Sequence, residues 1–410
     1  MPKISSKGFA MPDSPIRKLV PYADKAEKKG VEIIRLNIGQ PDIETPKIAI
    51  DAVKNMDIST VSYSHSAGNL SFREKLSAYY QKKAIAIDSD SILVTTGGSE
   101  ALIFTINSIA DPEDEIIIPE PFYANYYSFS TQSNVNVVPV ISKIEDDFSL
   151  PKISDFEALI TSKTKAILIC NPGNPTGYLY SKSEIKQLAQ LALKYDLFLI
   201  SDEVYSDFVY EEEATHYSIL QEPGLEEHAI VVDSFSKRYS MCGARIGMMI
   251  SKNKAVIETA MKFAQARLSP PSLAQIACEA TLDLPQSYFK EQIAKYKARR
   301  DTLIEGLRKI PNIAFSVPRG AFYCIVALPV SNSEDFAQWM LESFSLDNKT
   351  LMVAPADGFY STPNTGKNQI RLAFVLNRND LKMATIILGA ALKAYIAKNK
   401  SMPEQLELDF

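Results

Sequence analysis

Short apolar runs closed by clusters of Gly, Asn, Asp, Ser or Tyr, alternating with helix-period stretches, are what most constrain this chain. ILVT (92–95) leads into TGGSE, EIIIPE (115–120) into PFYANYY, and KAILIC (165–170) into NPGNPTG. LFLISD (197–202) leads into EVY, and AIVV (229–232) into DSFSKR. Runs that are apolar at successive positions read as strands buried on both faces. Between them, residues 70–83 and the stretch from 181 to 195 read as amphipathic helices. In the latter, Leu188, Leu191 and Ala192 share a face and Ser181 or Ser183 can cap the start. Strand–helix alternation implies right-handed βαβ units, hence an α/β fold with a mainly parallel sheet flanked by helices. Ligands of such sheets sit outside the carboxyl ends of the strands.

Each closing cluster is therefore a candidate site. Lys237, delivered past a buried strand, could be partly desolvated and act as a Schiff-base nucleophile. Arg245, eight residues on, could offer a planar fork to a phosphate. Gly97-Gly98 before a helix beginning near Ser99 would present free N–H groups and the positive dipole end to an anion. Tyr123 could stack on a planar ring. Asn171 and Asn174 flank prolines that stiffen their loop. Asp202 follows a buried strand, where a carboxylate is expensive unless partnered. Tyr205 lies three residues later, and Ser234 beyond the next strand. Gly39, in a turn after VEIIRLN, would let backbone approach a ligand closely. A helix is expected over 13–30 and another from Pro46 to Asn55.

Composition excludes several classes. The net charge is −5, with no basic stripe, which argues against nucleic acid. No apolar run approaches transmembrane length, and the N-terminus lacks a signal peptide's apolar core. Four scattered cysteines without a C-x-x-C fit free thiols in a reducing cytoplasm. Three histidines without H-E-x-x-H argue against zinc, and no metal is expected. Ser234-x-x-Lys237 matches the S-x-x-K of penicillin-binding enzymes, but the partner motifs S-D-N and K-T-G are missing. Phosphate donors, a ring stacker, an acid and an amine at one sheet edge are the set that pyridoxal phosphate requires.

NPGNPTG, SDEVY and SFSK with an arginine eight residues on, in that order, resemble the class I/II aminotransferases, pyridoxal-phosphate enzymes of fold type I related to aspartate aminotransferase. The resemblance covers about residues 15–395. It implies a large cofactor domain (48–290) and a small α+β domain from both chain ends (1–47 and 291–410). It further implies a homodimer with shared active sites. Position by position, Lys237 matches the Schiff-base lysine and proton shuttle, and Asp202 the pyridine-nitrogen partner. Tyr205 and Asn174 match donors to the ring's 3′ oxygen. Gly98, Ser99, Ser234 and Arg245 match the phosphate cup, and Tyr123 the stacking aromatic. Tyr63 matches a tyrosine reaching the partner subunit's phosphate. Arg371, in NQIRLAF, matches the arginine that grips the substrate α-carboxylate, with Gly39 adding a backbone contact; by itself it reads as a surface salt bridge.

The activity so implied is transfer of an amino group from an α-amino acid to a 2-oxo acid, 2-oxoglutarate being expected, of aspartate or broad specificity. Aromatic or kynurenine-type transamination, and a C–S lyase or decarboxylase of the same fold, are alternatives. A non-enzymatic binding module is disfavoured because every catalytic position is filled. A second cation for a side-chain carboxylate has no motif; Arg267, near the segment that in the family lends residues to the neighbouring subunit's site, is the candidate, and Phe359 and Tyr360 would favour aromatic substrates.

Overall fold

The computed structural model describes residues 2–211 and 213–400. Its centre is a seven-stranded sheet. From one edge the strands run Ile92–Thr95, Gly247–Ile250, Ala229–Ser234, Phe198–Asp202, Thr164–Cys170, Glu115–Glu120 and Asn136–Ile141. All are parallel except Gly247–Ile250, which pairs antiparallel with both neighbours. That reversal brings its first residue, Gly247, beside Thr95 and Ser234, where the parallel strands end. Arg245 is thereby carried to the carboxyl edge.

The continuous apolar runs follow from a sheet covered on both sides. Ile167, Ile169, Leu199 and Val231 belong to one buried cluster, with Phe72, Leu76 and Leu188 from helices. Their chain neighbours Ala166, Leu168, Ile200, Ile230 and Val232 join the cluster on the other face, with Ala101, Tyr126 and Ala260. Period-two alternation thus places apolar side chains in both layers. Helix Lys182–Tyr195 starts at a capping box between Ser181 and Glu184 and ends at Asp196 in the left-handed region.

Chain ends build a second body of structure. A four-stranded antiparallel sheet runs Ala354–Pro355, Gln369–Ala373, Tyr323–Ala327, Ala314–Phe315, and Glu32–Arg35 pairs parallel with Lys349–Met352. Its core contains Leu303, Phe322, Phe336 and Leu388, joined by Tyr205, Phe208 and Tyr210 from the loop after Asp202. Helix Gln286–Leu307 is continuous across position 290. Tyr288 and Phe289 pack on the large-sheet core, and Tyr296 and Leu303 belong to the other.

The helix expected over 13–30 is shorter, Val20–Lys28. Pro21 in its first turn lacks an N–H and blocks continuation backwards, so residues before it form turns instead. Among the described residues no helix is long and apolar enough to cross a membrane.

Candidate active site

At the carboxyl edge of the large sheet lies a cavity of about 630 Å³. The edge collects groups from strand ends, as the topology requires. Gly98 and Ser99 lie in the first turn of the helix Gly97–Ile109, which starts two residues earlier than expected, with Gly97 itself at φ +77°. A Cβ at Gly97 would stand 2.5 Å from Nη2 of Arg245, so the guanidinium lies directly on the helix N-terminus. Ser234 and Ser236, at the end of strand Ala229–Ser234 and just beyond, complete this corner. Four hydroxyl or amide donors, a dipole end and a guanidinium without a carboxylate partner among the described residues make an anion cup.

Opposite in charge is Asp202, only 5% exposed. Its carboxylate accepts hydrogen bonds from the Tyr126 hydroxyl (2.6 Å) and the Val204 amide (3.3 Å). Burial nevertheless pushes its pKa up to about 6, against the pull of these bonds and of Lys237. A carboxylate in this position gains from a cation placed against it. Tyr126 was not singled out from the sequence. The signal was its place three residues after Tyr123, in the same aromatic cluster; the two rings meet edge to face at 5.5 Å. Tyr123 lines the cavity, and burial raises its hydroxyl to about 12.

Lys237 enters the cavity from the turn after the same strand as Ser234. Its Nζ donates to the carbonyl of Gly39 at 2.9 Å. Tyr205 is buried, with its hydroxyl 2.9 Å from that of Tyr323. Asn174 follows a proline-stiffened loop and accepts at Oδ1 from Nη1 of Arg371 at 3.1 Å.

Arg371 is where local reading falls furthest short. Read alone it suggested a surface ion pair, yet it is 1% exposed. Nη2 donates to the Asn37 carbonyl at 2.6 Å, and Nε has no partner among the described residues. The guanidinium is sandwiched between the rings of Tyr323 (4.5 Å to centroid) and Phe359 (4.9 Å). Burial lowers its pKa, with the tyrosines Tyr323, Tyr205 and Tyr123 acting in the opposite sense. Holding such a cation with no carboxylate against it among the described residues is costly, and the cavity offers an anionic ligand the place to offset it. Register explains the location: Arg371 pairs with Ile325 and Ala354 in the middle of the four-stranded sheet.

Tyr63 does not join this group; it lies outside the cavity and is 79% exposed. Arg267 also stays outside, held by Glu100 at 3.1 Å and by the carbonyls of Ser66 and Val94. Its ion pair with Glu100 is made within this chain, outside this cavity. Phe359 spends its ring on Arg371, and Tyr360 bonds Gln369 at 2.7 Å. Neither lines the cavity, so neither ring is placed to select an aromatic substrate there. Arg17, Asn125, Cys242 and Tyr323 line it without having been singled out.

The profile of the family described as aminotransferase class I and II matches residues 31–385. Aspartate aminotransferase from Pyrococcus horikoshii is 29% identical over 384 residues, 92% of this chain and 94% of that protein. A single-mutant Thermus thermophilus aspartate aminotransferase superposes with TM-score 0.87 at 28% identity, covering 95% of this chain and 100% of that one. Alanine aminotransferase from Pyrococcus furiosus gives the same TM-score at 30% identity, covering 96% and 100%. Fold and family profile agree: the chain belongs to the class I and II aminotransferases.

Proposed function

We propose that this enzyme uses pyridoxal phosphate to move an amino group between a dicarboxylic α-amino acid of the aspartate type and a 2-oxo acid. The observation that carries the reading is the pairing, in one cavity, of an acid raised by burial with a buried arginine whose Nε has no partner among the described residues, Asp202 and Arg371. Pyridoxal phosphate fits these residues. The cup of Gly98, Ser99, Ser234 and Arg245 suits its phosphate, Asp202 its ring nitrogen, Tyr123 its ring face, and Lys237 its aldehyde. When bound, the cofactor supplies an electron-withdrawing ring that takes up the electron pair of a breaking Cα–H bond.

The protein's own groups do the rest. Asp202 ionises against a protonated ring nitrogen, so the positive charge stays on the ring. Arg371 receives the α-carboxylate in a bidentate fork and so fixes which substituent of Cα faces Lys237. The Lys237 amine carries the proton to and from Cα as general base and acid, a role worth about 10²–10⁴ in rate. Tyr205 and Asn174 donate toward the ring's 3′ oxygen. Among the described residues four cations line the cavity: Lys237, Arg245, Arg371 and Arg17. Phosphate, α-carboxylate and Schiff-base chemistry occupy three of them. Arg17 is left over, which supports a substrate with a second carboxylate.

We further propose the partition into a 48–290 cofactor domain and a small domain from both ends, which the two bodies of buried core support. A homodimer in a reducing cytoplasm completes the reading. Ile58, Val61, Tyr63, Leu70 and Leu268 expose apolar surface on adjoining segments, tied together by Ser66 donating to the Leu268 carbonyl at 2.6 Å. The dimer brings Tyr63 to the partner's phosphate cup. All four cysteines are free thiols.

The test is a panel of amino acids added singly to cofactor-loaded protein, followed by absorbance, for wild type and Arg17→Gln. Wild type should convert with aspartate and glutamate and stop after one turnover until a 2-oxo acid is added. Arg17→Gln should lose about 10–100-fold in kcat/KM for acidic substrates, the size of one charged hydrogen bond, with alanine nearly unchanged. Continuous ammonia release without a 2-oxo acid would make it a lyase. Equal losses for aspartate and alanine would remove Arg17 from substrate selection.

A further inference from the structure

Tyr323 has no role in the motifs, yet it touches each group on one side of the cavity. Its hydroxyl lies 2.9 Å from that of Tyr205, with the rings perpendicular at 5.6 Å. Its ring face covers Arg371 at 4.5 Å. A Cβ added at Gly39 would meet its hydroxyl oxygen at 1.9 Å, so the hydroxyl end of the phenol is packed against backbone whose carbonyl accepts from Lys237. It begins strand Tyr323–Ala327, opposite Ala373, two residues from Arg371 along the pairing strand.

A phenol carries a single hydrogen, so only one member of the Tyr205–Tyr323 pair can donate to the other. The ring oxygen that Tyr205 faces in the bound cofactor is anionic and accepts more strongly than a neutral phenol. The Tyr205 hydroxyl would donate its hydrogen bond to that oxygen while keeping its proton, and the Tyr205 oxygen would then accept from Tyr323. Asn174 is arranged in the same way. A guanidinium has only donors, so Nη1 of Arg371 occupies the Asn174 carbonyl oxygen and leaves its NH₂ to donate. Both donors to one oxygen are thus oriented by partners on the four-stranded sheet.

We propose that Tyr323 is a positioning residue whose hydroxyl holds Tyr205 as a donor to the cofactor's 3′ oxygen while its ring holds Arg371 for the substrate carboxylate. The inference rests on the pyridoxal-phosphate reading above. It couples the two ends of the site through one side chain. Loss of the hydroxyl and loss of the ring should therefore have separable effects.

The experiment is a pH titration of the visible absorbance of cofactor-loaded wild type, Tyr323→Phe, Tyr205→Phe and the double variant, without substrate. Weaker donation onto the 3′ oxygen leaves more electron density on the nitrogen that Lys237 contributes, so the titration midpoint should rise. For Tyr323→Phe the expected rise is about half to one pH unit, the size of one neutral hydrogen bond. Tyr205→Phe should shift it further, and the double variant no further than Tyr205→Phe alone, because Tyr323 acts through Tyr205. Tyr323→Leu should in addition raise the KM for amino acid about 3–30-fold by removing the ring from Arg371, an effect Tyr323→Phe should not show. A wild-type midpoint retained in Tyr323→Phe, or additive shifts in the double variant, would overturn the inference while leaving the cofactor reading intact. Wild type that takes up no cofactor band would overturn both.

Discussion

Replacing Asp202 by Asn should make the cofactor-free protein more stable, and increasingly so as pH rises. The carboxyl is 5% exposed and burial lifts its pKa from 3.8 to about 6. A group that binds its proton more tightly in the folded state favours folding fully only below its unfolded pKa. That contribution is lost as pH climbs through the folded one. Linkage over these two pKa values puts the penalty for ionising Asp202 at about 1.6 kcal/mol at pH 5 and about 3 kcal/mol at pH 8. An asparagine side chain keeps the shape and the Val204 contact but has no charge to bury. The stability advantage of Asp202→Asn over wild type should therefore grow by about 1.4 kcal/mol between pH 5 and pH 8. Denaturant unfolding of the cofactor-free forms at both pH values measures this. Loading with pyridoxal phosphate should reverse the order, since a protonated ring nitrogen offsets the cost of the buried carboxylate. An advantage of the Asp202→Asn variant that is absent, or the same at both pH values, would refute the claim that desolvation governs this acid.

Two further outcomes follow from the geometry. Lys237→Ala should abolish the cofactor's protein-bound absorption band and lower kcat by at least about 10²–10⁴-fold, checked by spectrum and single-turnover rate; a band unchanged in the variant would unseat Lys237. Gly39→Ala should drive the Tyr323 ring aside by more than an ångström, given a Cβ only 1.9 Å from its hydroxyl oxygen. A displacement of that size is worth up to about 10²-fold in kcat/KM, and unaltered kinetics would mean that the cavity wall yields freely.

Much of the site was legible because parallel α/β sheets concentrate chemistry at strand ends, and strand ends can be read from apolar runs. Asp202, Ser234, Lys237 and the Gly97-Gly98 turn each follow such a run directly. Asn174 and Tyr205 lie within a short loop of one, and Arg245 was legible from its spacing after Lys237. Resemblance to a family added Arg371 and Tyr63, which no local pattern distinguished.

What escaped was decided by contacts between distant segments. Tyr126 meets Asp202 across 76 residues, Tyr323 meets Tyr205 across 118, and Arg371 meets Asn37 across 334. Arg267 illustrates the reverse case, a plausible free cation committed to Glu100. The sequence by itself determined the layered sheet, the edge at which chemistry gathers and the residues that edge receives, because hydrophobic periodicity and chain connectivity act locally. Only the tertiary structure decided which cation is buried without a carboxylate, which acid is desolvated and which phenol orients which donor. Those properties depend on how much water each group loses, and that is set by everything packed around it.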